Sequence, residues 1–365
     1  MDLARLSAVR LLIVNAGSSS LKLSVLDGDD RTLAQRELAW PRGESLAPGA
    51  LRGLPDADAV AHRVVHGGDA YRVAAWIDAE VRAGLEALAD LAPLHQPRAL
   101  AAIDAALRDL PGVPAAACFD TAFHASLPAA AATYALPQPW RRRRFGFHGL
   151  SHAYAARRAA ELCGADPGEV RVVSCHLGAG ASLAAVAAGR SVDTTMGFTP
   201  LEGLVMATRP GSLDPGLLLW LIEHEGVAPA ELADGLEHRS GLLALAGTGD
   251  MREILTRTEA GDGDARAALD VYVHRLRAGI AAMAAAMNGL DVLVFTGGVG
   301  EHAAPVRAAA AAGLSFLGVA IDERSNAAAT ADADIGRPGA TARAVVVTAR
   351  EDLEMARQVR ALAGP

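Results

Sequence analysis

The chain has 365 residues, of which 51% are hydrophobic and 21% charged, and its formal net charge is -8. This length predicts about two domains with sizeable cores, and the composition excludes an intrinsically disordered chain, which needs weak hydrophobicity and strong net charge. The acidic balance also argues against a general nucleic-acid binder, which needs an excess of basic side chains to pair with phosphates.

Short apolar runs rich in β-branched residues alternate along the chain with longer helical patterns. The predicted strands cover residues 11–15, 59–66, 170–176, 291–297 and 343–348. The predicted helices lie near residues 78–91, 97–109, 151–163, 213–226, 264–288 and 351–362. Strands interleaved with helices indicate an α/β architecture, in which helices cover buried sheets.

Two segments about 160 residues apart share a plan of strand, small-residue turn and strand. They are LLIVNAGSSSLKLSVL (11–26) and VVSCHLGAGASLAAVAAG (172–189). The repetition suggests two related half-molecules, although Gly-rich hairpins are common enough to give the same pattern. The Pro-rich stretch 135–140 and the four arginines 141–144 lie between the segments, at or just after a domain junction. Such a run is typical of a solvated surface and could also position a neighbouring site.

Targeting and membrane signals are weak. The apolar run at residues 11–14 is shorter than the hydrophobic region of a signal peptide, and no segment reaches about 18 uninterrupted apolar residues. Three cysteines without a CxxC pair favour reduced thiols over a disulfide framework. We therefore expect a soluble cytoplasmic protein with small-molecule substrates, no nucleic-acid partner and no membrane partner.

Three turns rich in small residues each follow a predicted strand, at residues 15–22, 176–182 and 297–301. Small residues let backbone N–H groups approach phosphate oxygens. The first turn lacks the Gly before Lys22 and the Ser or Thr after it that a P-loop has, and no dinucleotide-binding GxGxxG motif occurs. One such turn is weak evidence, but three predict a nucleotide clamp.

Lys22 is the only lysine in the chain, beside 33 arginines. This composition is typical of a GC-rich genome, which replaces Lys by Arg wherever the two are interchangeable. Lysine supplies a compact, mobile point charge, whereas arginine presents a planar fork. A functional Lys22 and a chance survivor are both compatible with the count.

Two other kinds of site fit the sequence poorly. His148 and His152 have i, i+4 spacing and Cys175 and His176 offer further ligands, but the Gly149 break and a missing fourth ligand argue against zinc. A serine hydrolase needs a GxSxG elbow, and residues 149–153 read GLSHA.

The order and spacing of eleven motifs resemble the acetate kinase family and its propionate and butyrate kinase relatives, over nearly the whole chain. The motifs are VNAGSSSLK, HRVVHGG, FDTAFH, GFHGLSH, CHLGAGASL, DTTMGFTPLEG, TRPGSLDP, SGLL, GDMR, FTGGVGEH and REDLEMAR. The resemblance implies a two-domain, actin-like and sugar-kinase-like ATPase fold with a duplicated βββαβαβα core and an interdomain cleft. It also implies domains at 1–124 plus 352–365 and at 125–351, and a homodimer.

The resemblance assigns residues to four roles. It makes Arg63, Asp120, His148 and Arg209 catalytic. The residues that it implies bind the acid substrate are Arg63, Val65, Leu94, His95, Phe147 and Pro200. The residues that it implies bind the nucleotide are Ser18, Ser20, Lys22, His176, Leu177, Gly178, Ala179, Gly180, Asp250, Met251, Arg252, Gly298, Val299, Gly300, Glu301 and His302. The residues that it implies bind Mg²⁺ are Asn15 and Glu351.

The implied reaction is reversible phosphoryl transfer from ATP to acetate, which yields ADP and acetyl phosphate. A carboxylate acceptor is already ionised at neutral pH, so alignment and charge neutralisation matter more than a base, and direct in-line transfer is favoured over a phospho-enzyme. Propionate or another short acid as preferred substrate stays open. A nucleotide-binding relative with impaired turnover also stays open, because Ala179 and Arg350 stand where the family has asparagine. Gln96 and His302 also replace family asparagines.

Overall fold

The computed structural model describes residues 9–17, 20–41, 44–93 and 95–362. The chain divides into two compact units, each built around a six-stranded sheet. Unit 1 comprises Met1–Ala125, Phe147–Tyr154 and Arg350–Pro365. Unit 2 comprises Ser126–Gly146 and Ala155–Ala349.

The sheet of unit 1 contains β1 (Leu11–Ala16), β2 (Ser20–Leu26), β3 (Thr32–Ala39), β4 (Ala59–Val64), β5 (Ala75–Trp76) and β6 (Ala115–Phe119). The sheet of unit 2 contains β7 (Arg171–Leu177), β8 (Ala181–Ala187), β9 (Arg190–Thr194), β10 (Val292–Thr296), β11 (Ala333–Asp334) and β12 (Arg343–Val346). The spatial orders are β3-β2-β1-β4-β6-β5 and β9-β8-β7-β10-β12-β11.

The two sheets have the same topology. In each, an antiparallel three-stranded meander supplies one central strand, β1 or β7, which pairs in parallel with the next central strand, β4 or β10. A further parallel strand, β6 or β12, and a short antiparallel edge strand complete each sheet. The strand, turn and strand plan that occurs twice in the sequence is therefore the start of two equivalent sheets.

Thirteen α-helices occur in the described part of the chain. They are α1 (Ala79–Glu86), α2 (Gln96–Asp109), α3 (Ala129–Ala132), α4 (Gly149–Leu162), α5 (Pro215–Glu223), α6 (Pro229–His238), α7 (Gly241–Ala246), α8 (Met251–Glu259), α9 (Gly263–Ala286), α10 (Gly297–His302), α11 (Ala304–Ala312), α12 (Glu323–Ala328) and α13 (Glu351–Leu362).

Helices cover both faces of the first sheet, which explains its unbroken apolar runs. Leu11 and Ile13 of β1 pack with Met355 and Val359 of α13. Leu12, Val14 and their neighbours pack on the other face with the alanine side of α2. Strands buried on both faces carry little hydrophobic alternation, so β1, β4 and β6 read as short continuous runs.

The second sheet is buried in the same way. All five residues of β10 are buried, and the 24-residue helix α9 packs against β7, β8 and β9. The buried side of α9 carries Tyr272, Leu276 and Ile280 at helical spacing. Burial of this side and the many alanines, which have the highest helix propensity, together account for the length of α9.

The predicted strands and helices are all present, with shifted ends. The helix near 78–91 ends at Glu86 and is followed by a 3-10 turn at Ala89–Leu91. The prediction of a third Gly-rich turn at residues 297–301 is wrong, because residues Gly297–His302 form the short helix α10. The sequence predicts no strand at β3, whose exposed residues alternate with partly buried ones as in an edge strand, and none at β6, whose five buried residues are mainly alanine.

No helix in the described ranges combines the length and the apolar composition needed to cross a bilayer.

Candidate active site

Arg63 and Asp120 form the centre of a polar cluster in unit 1. Arg63 lies near the carboxyl end of β4 and Asp120 directly follows β6, and these strands are parallel neighbours, so their ends meet at one edge of the sheet. The Arg63 Nε donates to both carboxylate oxygens of Asp120 at 3.1 and 3.2 Å, and Nη2 donates to Oδ2 at 2.7 Å. This forked arrangement fixes the plane of the guanidinium.

Asn15 and Glu351 join the same cluster from β1 and from the first residue of α13. The Arg63 Nη1 donates to the Asn15 Oδ1 at 3.3 Å and lies 3.5 Å from the Glu351 Oε2. The Asn15 Nδ2 in turn donates to the Glu351 Oε2 at 3.2 Å. Residues separated by up to 336 positions in sequence therefore share one hydrogen-bonded network.

Burial and charge act against each other in this cluster. Burial alone would lower the pKa of Arg63, but the charges of Asp120 and Glu351 and the hydrogen bonds to Asp120 outweigh it and raise the pKa. Burial raises the pKa of Asp120, and Arg63 opposes that shift. One guanidinium thus faces two carboxylates, which leaves an excess of acidic groups beside it.

The donors of this cluster fit a hard divalent cation. Mg²⁺ prefers oxygen ligands, keeps several waters and is usually held by one or two protein carboxylates. Asn15 and Glu351 offer an amide oxygen and a carboxylate at the acidic side of the cluster. Among the described residues, no group of three or more His, Cys, Asp or Glu could hold a metal ion, so such an ion would depend on water and phosphate oxygens for its other ligands.

The segment that carries His148 is fixed by backbone contacts to the residues after β6. His148 has a left-handed backbone with φ of 57°, a conformation that costs free energy in a non-Gly residue. The Gly149 N–H donates to the Asp120 carbonyl at 2.8 Å, and the ring of His124 is 3.0 Å from the Phe147 carbonyl through Nε2. Asp120 and His148 are therefore coupled through the main chain.

The first small-residue turn joins β1 to β2. The Gly17 N–H donates to the Ser20 carbonyl at 2.9 Å, and Asn15 lies opposite Lys22 in the β1–β2 register. The side chain of Lys22 is exposed, and none of the described residues forms an ion pair with it. Ser18 lies outside the described residues.

Arg98 of α2 supports this turn. Its Nε donates to the Gly17 carbonyl at 2.8 Å, its Nη2 donates to the Trp40 carbonyl at 2.7 Å, and its guanidinium lies over the Trp40 ring. Sequence reasoning missed Arg98, because an arginine 81 residues from the turn gives no local signal of this contact.

The residues predicted for the acid substrate divide between the units. Val65, His95 and Phe147 belong to unit 1, Val65 and Phe147 are buried, and Phe147 packs edge-on against His66. Pro200 belongs to unit 2, and Leu94 lies outside the described residues.

Arg209 of unit 2 is a desolvated cation. Its Nη1 donates to the Pro200 carbonyl at 2.8 Å, and no carboxylate of the described residues lies within 4 Å of its guanidinium. Burial lowers the pKa of Arg209, and the charge of Glu237 opposes the shift. In contrast to Arg63, this guanidinium keeps most of its donors for an external anion.

A cavity of about 480 Å³ in unit 2 gathers half of the residues predicted for the nucleotide. Eight of them line it, namely Gly178, Ala179, Asp250, Met251, Arg252, Gly298, Val299 and His302, together with Gly249, Leu255 and Ala303, which the sequence analysis missed. The volume lies within the range of small-molecule pockets. Leu255 is four residues after Met251 on α8, so helical spacing was the signal that could have found it.

Three elements form the walls of this cavity. The turn between β7 and β8 is closed by a hydrogen bond from the Gly178 N–H to the Gly180 carbonyl, at 3.0 Å. Asp250 caps α8 by accepting from the Arg252 N–H at 2.9 Å, and hydrogen bonds from Arg252 lower the pKa of Asp250 to about 2. The third wall is α10.

Side-chain hydrogen bonds of Glu301 and the buried Arg307 stabilise the backbone of α10. The Glu301 Oε1 accepts from the N–H groups of Gly297 and Ala349, both at 3.0 Å. The Arg307 guanidinium donates to the carbonyls of Gly300 and Glu301, and Asn326 accepts from its Nε at 2.7 Å. Gly300 and Glu301 therefore act in the described structure as parts of the frame and do not line the cavity.

The remaining residues predicted for the nucleotide do not line this cavity. His176 and Leu177 end β7, and Leu177 is fully buried. Ser20 begins β2 in unit 1.

The run of four arginines at 141–144 divides into an exposed pair, Arg141 and Arg142, and a pair with structural contacts, Arg143 and Arg144. The interpretation as a solvated surface therefore holds for half of the run.

Comparisons with known proteins agree over almost the full chain. The sequence profile of the Acetokinase family matches residues 48–357. An acetate kinase of Gloeobacter violaceus is 43% identical over 96% of this chain and 98% of its own length. The crystal structure of Porphyromonas gingivalis acetate kinase superposes with a TM-score of 0.88 at 33% identity, covering 98% of this chain and all of that one. A propionate kinase structure from Francisella tularensis gives 0.86 at 31% identity, over 96% and 98% of the two chains.

Proposed function

The chain belongs to the acetokinase family, and from that premise we propose that it catalyses reversible, direct in-line transfer of the γ-phosphoryl group of ATP to acetate. It is a kinase whose acceptor is a carboxylate. The observation that carries the mechanistic proposal is the network of Arg63, Asp120, Asn15 and Glu351, which combines a fixed guanidinium with oxygen donors for a cation.

Charge neutralisation is the main task in this reaction. The acid and the phosphoryl group are both negative, so they repel each other until cations compensate their charge. Arg63 and Arg209 supply such cations, and a guanidinium fork matches planar carboxylate and phosphoryl oxygens. Arg209 has free donors for an anion, whereas the orientation of Arg63 is set by Asp120.

Asp120 orients the Arg63 guanidinium and balances its charge, and it does not accept a proton. Its carboxylate oxygens are occupied by the Arg63 guanidinium, and acetate needs no base at neutral pH. His148 would donate a hydrogen bond to the transferring group in the transition state, and its strained backbone agrees with a position selected for function.

The cavity of unit 2 would take the adenosine, and Lys22 and Ser20 of unit 1 are proposed to bind the phosphates. Backbone N–H groups of the Gly178–Gly180 turn would approach phosphate oxygens closely because these residues have little or no side chain. Asn15 and Glu351 would hold Mg²⁺, which neutralises phosphate oxygens when it is bound with ATP.

The preferred acid is proposed to be acetate. The similarity to a propionate kinase structure keeps propionate as the alternative. One extra methylene in an apolar pocket changes discrimination by only about 1 to 3 kcal/mol, so a few side chains decide between the acids.

Hydroxylamine trapping of the acyl phosphate tests the proposal. Purified protein with MgATP is supplied with acetate, propionate and butyrate in parallel, and the hydroxamate is measured for each. We expect product with acetate at a higher kcat/KM than with the longer acids. Product only with propionate or butyrate would change the substrate, and no product with any acid, despite measurable ATP binding, would favour a nucleotide-binding protein without turnover.

Variants of the two arginines give this test a residue-level control. Arg63→Ala and Arg209→Ala are each expected to lose on the order of a hundredfold or more in turnover, because charged hydrogen bonds of about 1.5 to 3 kcal/mol disappear at the transition state. Arg72→Ala, at an exposed arginine of unit 1, is the matched control and should keep full activity. Near-native rates for either site variant would contradict its role.

The two compact units are proposed to correspond to the family's two domains, expected at 1–124 plus 352–365 and at 125–351, although residues 147–154 belong to unit 1 and lie inside the expected second domain. A homodimer is proposed from the surface of α5. Its apolar residues Leu217, Leu219, Trp220 and Ile222 are exposed, and no residue of α5 is buried. A helix that is apolar all round is normally covered, and a second copy of the chain would cover it.

A cytoplasmic location is supported by three cysteines without a disulfide.

A further inference from the structure

Arg144, Glu202 and Tyr134 form a compact polar triad in unit 2 that the reaction itself does not use. The Arg144 Nη2 donates to the Glu202 Oε1 at 2.6 Å, and the Tyr134 hydroxyl donates to the Glu202 Oε2 at 2.7 Å. The Arg144 guanidinium also lies 5.3 Å from the centre of the Tyr134 ring. The carboxylate of Glu202 is thus bound at both oxygens.

The triad holds the chain that leaves β9. The Arg144 Nη1 donates to three successive carbonyls, of Thr194, Thr195 and Met196, at 3.1 to 3.3 Å. The Tyr134 hydroxyl accepts from the Phe198 N–H at 2.8 Å. Side chains of Tyr134 and Arg144 therefore hold four backbone positions between residues 194 and 198, and Glu202 follows at the far end of this segment.

Gly197 shows how closely the triad packs on this segment. A Cβ at Gly197 would lie 1.8 Å from the Glu202 Oε2 and 2.1 Å from the Tyr134 hydroxyl oxygen. The Gly197 carbonyl accepts from the N–H groups of Phe145 and Gly146, at 3.1 and 3.2 Å. No side chain fits at residue 197 without displacement of the triad.

The fixed segment ends at the contact that orients Arg209. Pro200, two residues before Glu202, presents the carbonyl that accepts from the Arg209 Nη1 at 2.8 Å. This is the single hydrogen bond recorded for the Arg209 side chain within the described ranges. The direction of its remaining donors therefore depends on where residues 197–202 hold the Pro200 carbonyl.

We propose that Arg144, Glu202 and Tyr134 are positioning residues, which hold residues 197–202 so that the Pro200 carbonyl aims the Arg209 guanidinium at the carboxylate substrate. The inference rests on the proposed role of Arg209. It assigns a function to one member of the arginine run, and it ties substrate affinity to three residues that do not touch the substrate. Loss of the triad changes the binding of the acid and leaves the nucleotide site in place.

Tyr134→Phe is the sharpest test, because it removes one hydroxyl, its two hydrogen bonds and nothing else. We expect the KM for acetate to rise about five- to tenfold, as for a loss of about 1 to 1.4 kcal/mol, while the KM for ATP changes less than twofold. Tyr272→Phe is the matched control: Tyr272 is a buried tyrosine of unit 2 whose hydroxyl has no partner among the described residues. This control should leave both KM values unchanged.

Glu202→Gln and Glu202→Ala provide a graded second test. Gln keeps an acceptor for one partner, so its KM for acetate should lie between those of the wild type and of Glu202→Ala. The proposal is overturned if Tyr134→Phe leaves the KM for acetate within twofold of the wild type, or if the KM values for ATP and acetate rise equally in these variants. If the wild-type protein forms no acyl phosphate, the proposed function fails instead, so the two failures are distinguished.

Discussion

The guanidinium of Arg63 contacts both carboxylate oxygens of Asp120, and the Asp120 side chain is only 2% exposed. A buried pair of this kind contributes little net stability, but removal of one partner leaves an uncompensated charge. The pair instead orients Arg63, because a forked contact defines the plane of the guanidinium that would meet the substrate.

Asp120→Asn should reduce kcat about 10- to 100-fold, because Asn keeps the shape but loses the charge and one acceptor for Arg63. Steady-state kinetics with acetate and MgATP measure the effect. Asp104→Asn is the matched control, since Asp104 makes a similar pair with Arg82, at 2.7 Å, on the exposed side of unit 1. Equal kinetics for the two variants would remove Asp120 from the machinery.

Ala179→Asn should strengthen ATP binding. Ala179 is exposed, lines the cavity proposed for the nucleotide and, by the resemblance, stands where the family has asparagine, so an added amide would hydrogen-bond to the nucleotide without steric conflict. One such bond to a charged oxygen is worth about 1.5 kcal/mol, which predicts a roughly tenfold lower KM for ATP and an unchanged KM for acetate. Ala188→Asn, in the left-handed turn of the β8–β9 hairpin, is the control without an expected kinetic effect. An unchanged or higher KM for ATP would show that the alanine is not a defect.

Buried strands rich in β-branched residues were predictable from sequence, whereas the alanine-rich buried strand β6 and several exposed or glycine-containing elements were not. A strand such as β10 is covered on all sides, so its apolar run is unmistakable. In contrast, α10 begins with Gly-Gly-Val-Gly, which local propensity assigns to a turn. It forms a helix because Glu301 and Arg307, with distant partners, satisfy its backbone groups.

The three asparagines show what composition can reveal about a site. Asn15 binds Arg63 and Glu351, Asn288 takes a left-handed backbone just after α9, and Asn326 binds the buried Arg307. Each therefore has a role that few other side chains fill. The family resemblance pointed to Asn15, but the contacts of Asn326, and likewise the pairing of Tyr134 with Glu202 across 68 residues, depend on the fold and leave no local pattern.

Charged substitutions on α5 should produce monomers. Leu219 and Trp220 are 57% and 47% exposed, and the double variant Leu219→Glu with Trp220→Glu places two like charges on the surface proposed to pair with a second copy. Sedimentation equilibrium should give the mass of one chain for this variant and of two for the wild type. Phe316→Glu changes an equally apolar residue, 72% exposed, at another surface and should stay dimeric. A monomeric wild type, or a dimeric double variant, would contradict the assignment.

His62 should make the protein less stable in acid. It lies buried on β4, neither ring nitrogen has a partner among the described residues, and burial lowers its pKa to about 3. The unfolded chain has a histidine pKa near 6.5. Between about pH 6.5 and pH 3 the unfolded state therefore binds a proton that the folded state does not, and the free energy of unfolding falls as the pH falls.

His62→Leu should reduce the slope of unfolding free energy against pH by about 1.4 kcal/mol per pH unit between about pH 6 and 4. Urea unfolding at several pH values measures this slope, and His274→Leu, at an exposed histidine, should leave it as in the wild type. If the slope is the same in His62→Leu and the wild type, the buried ring is protonated in the folded protein or has a partner there.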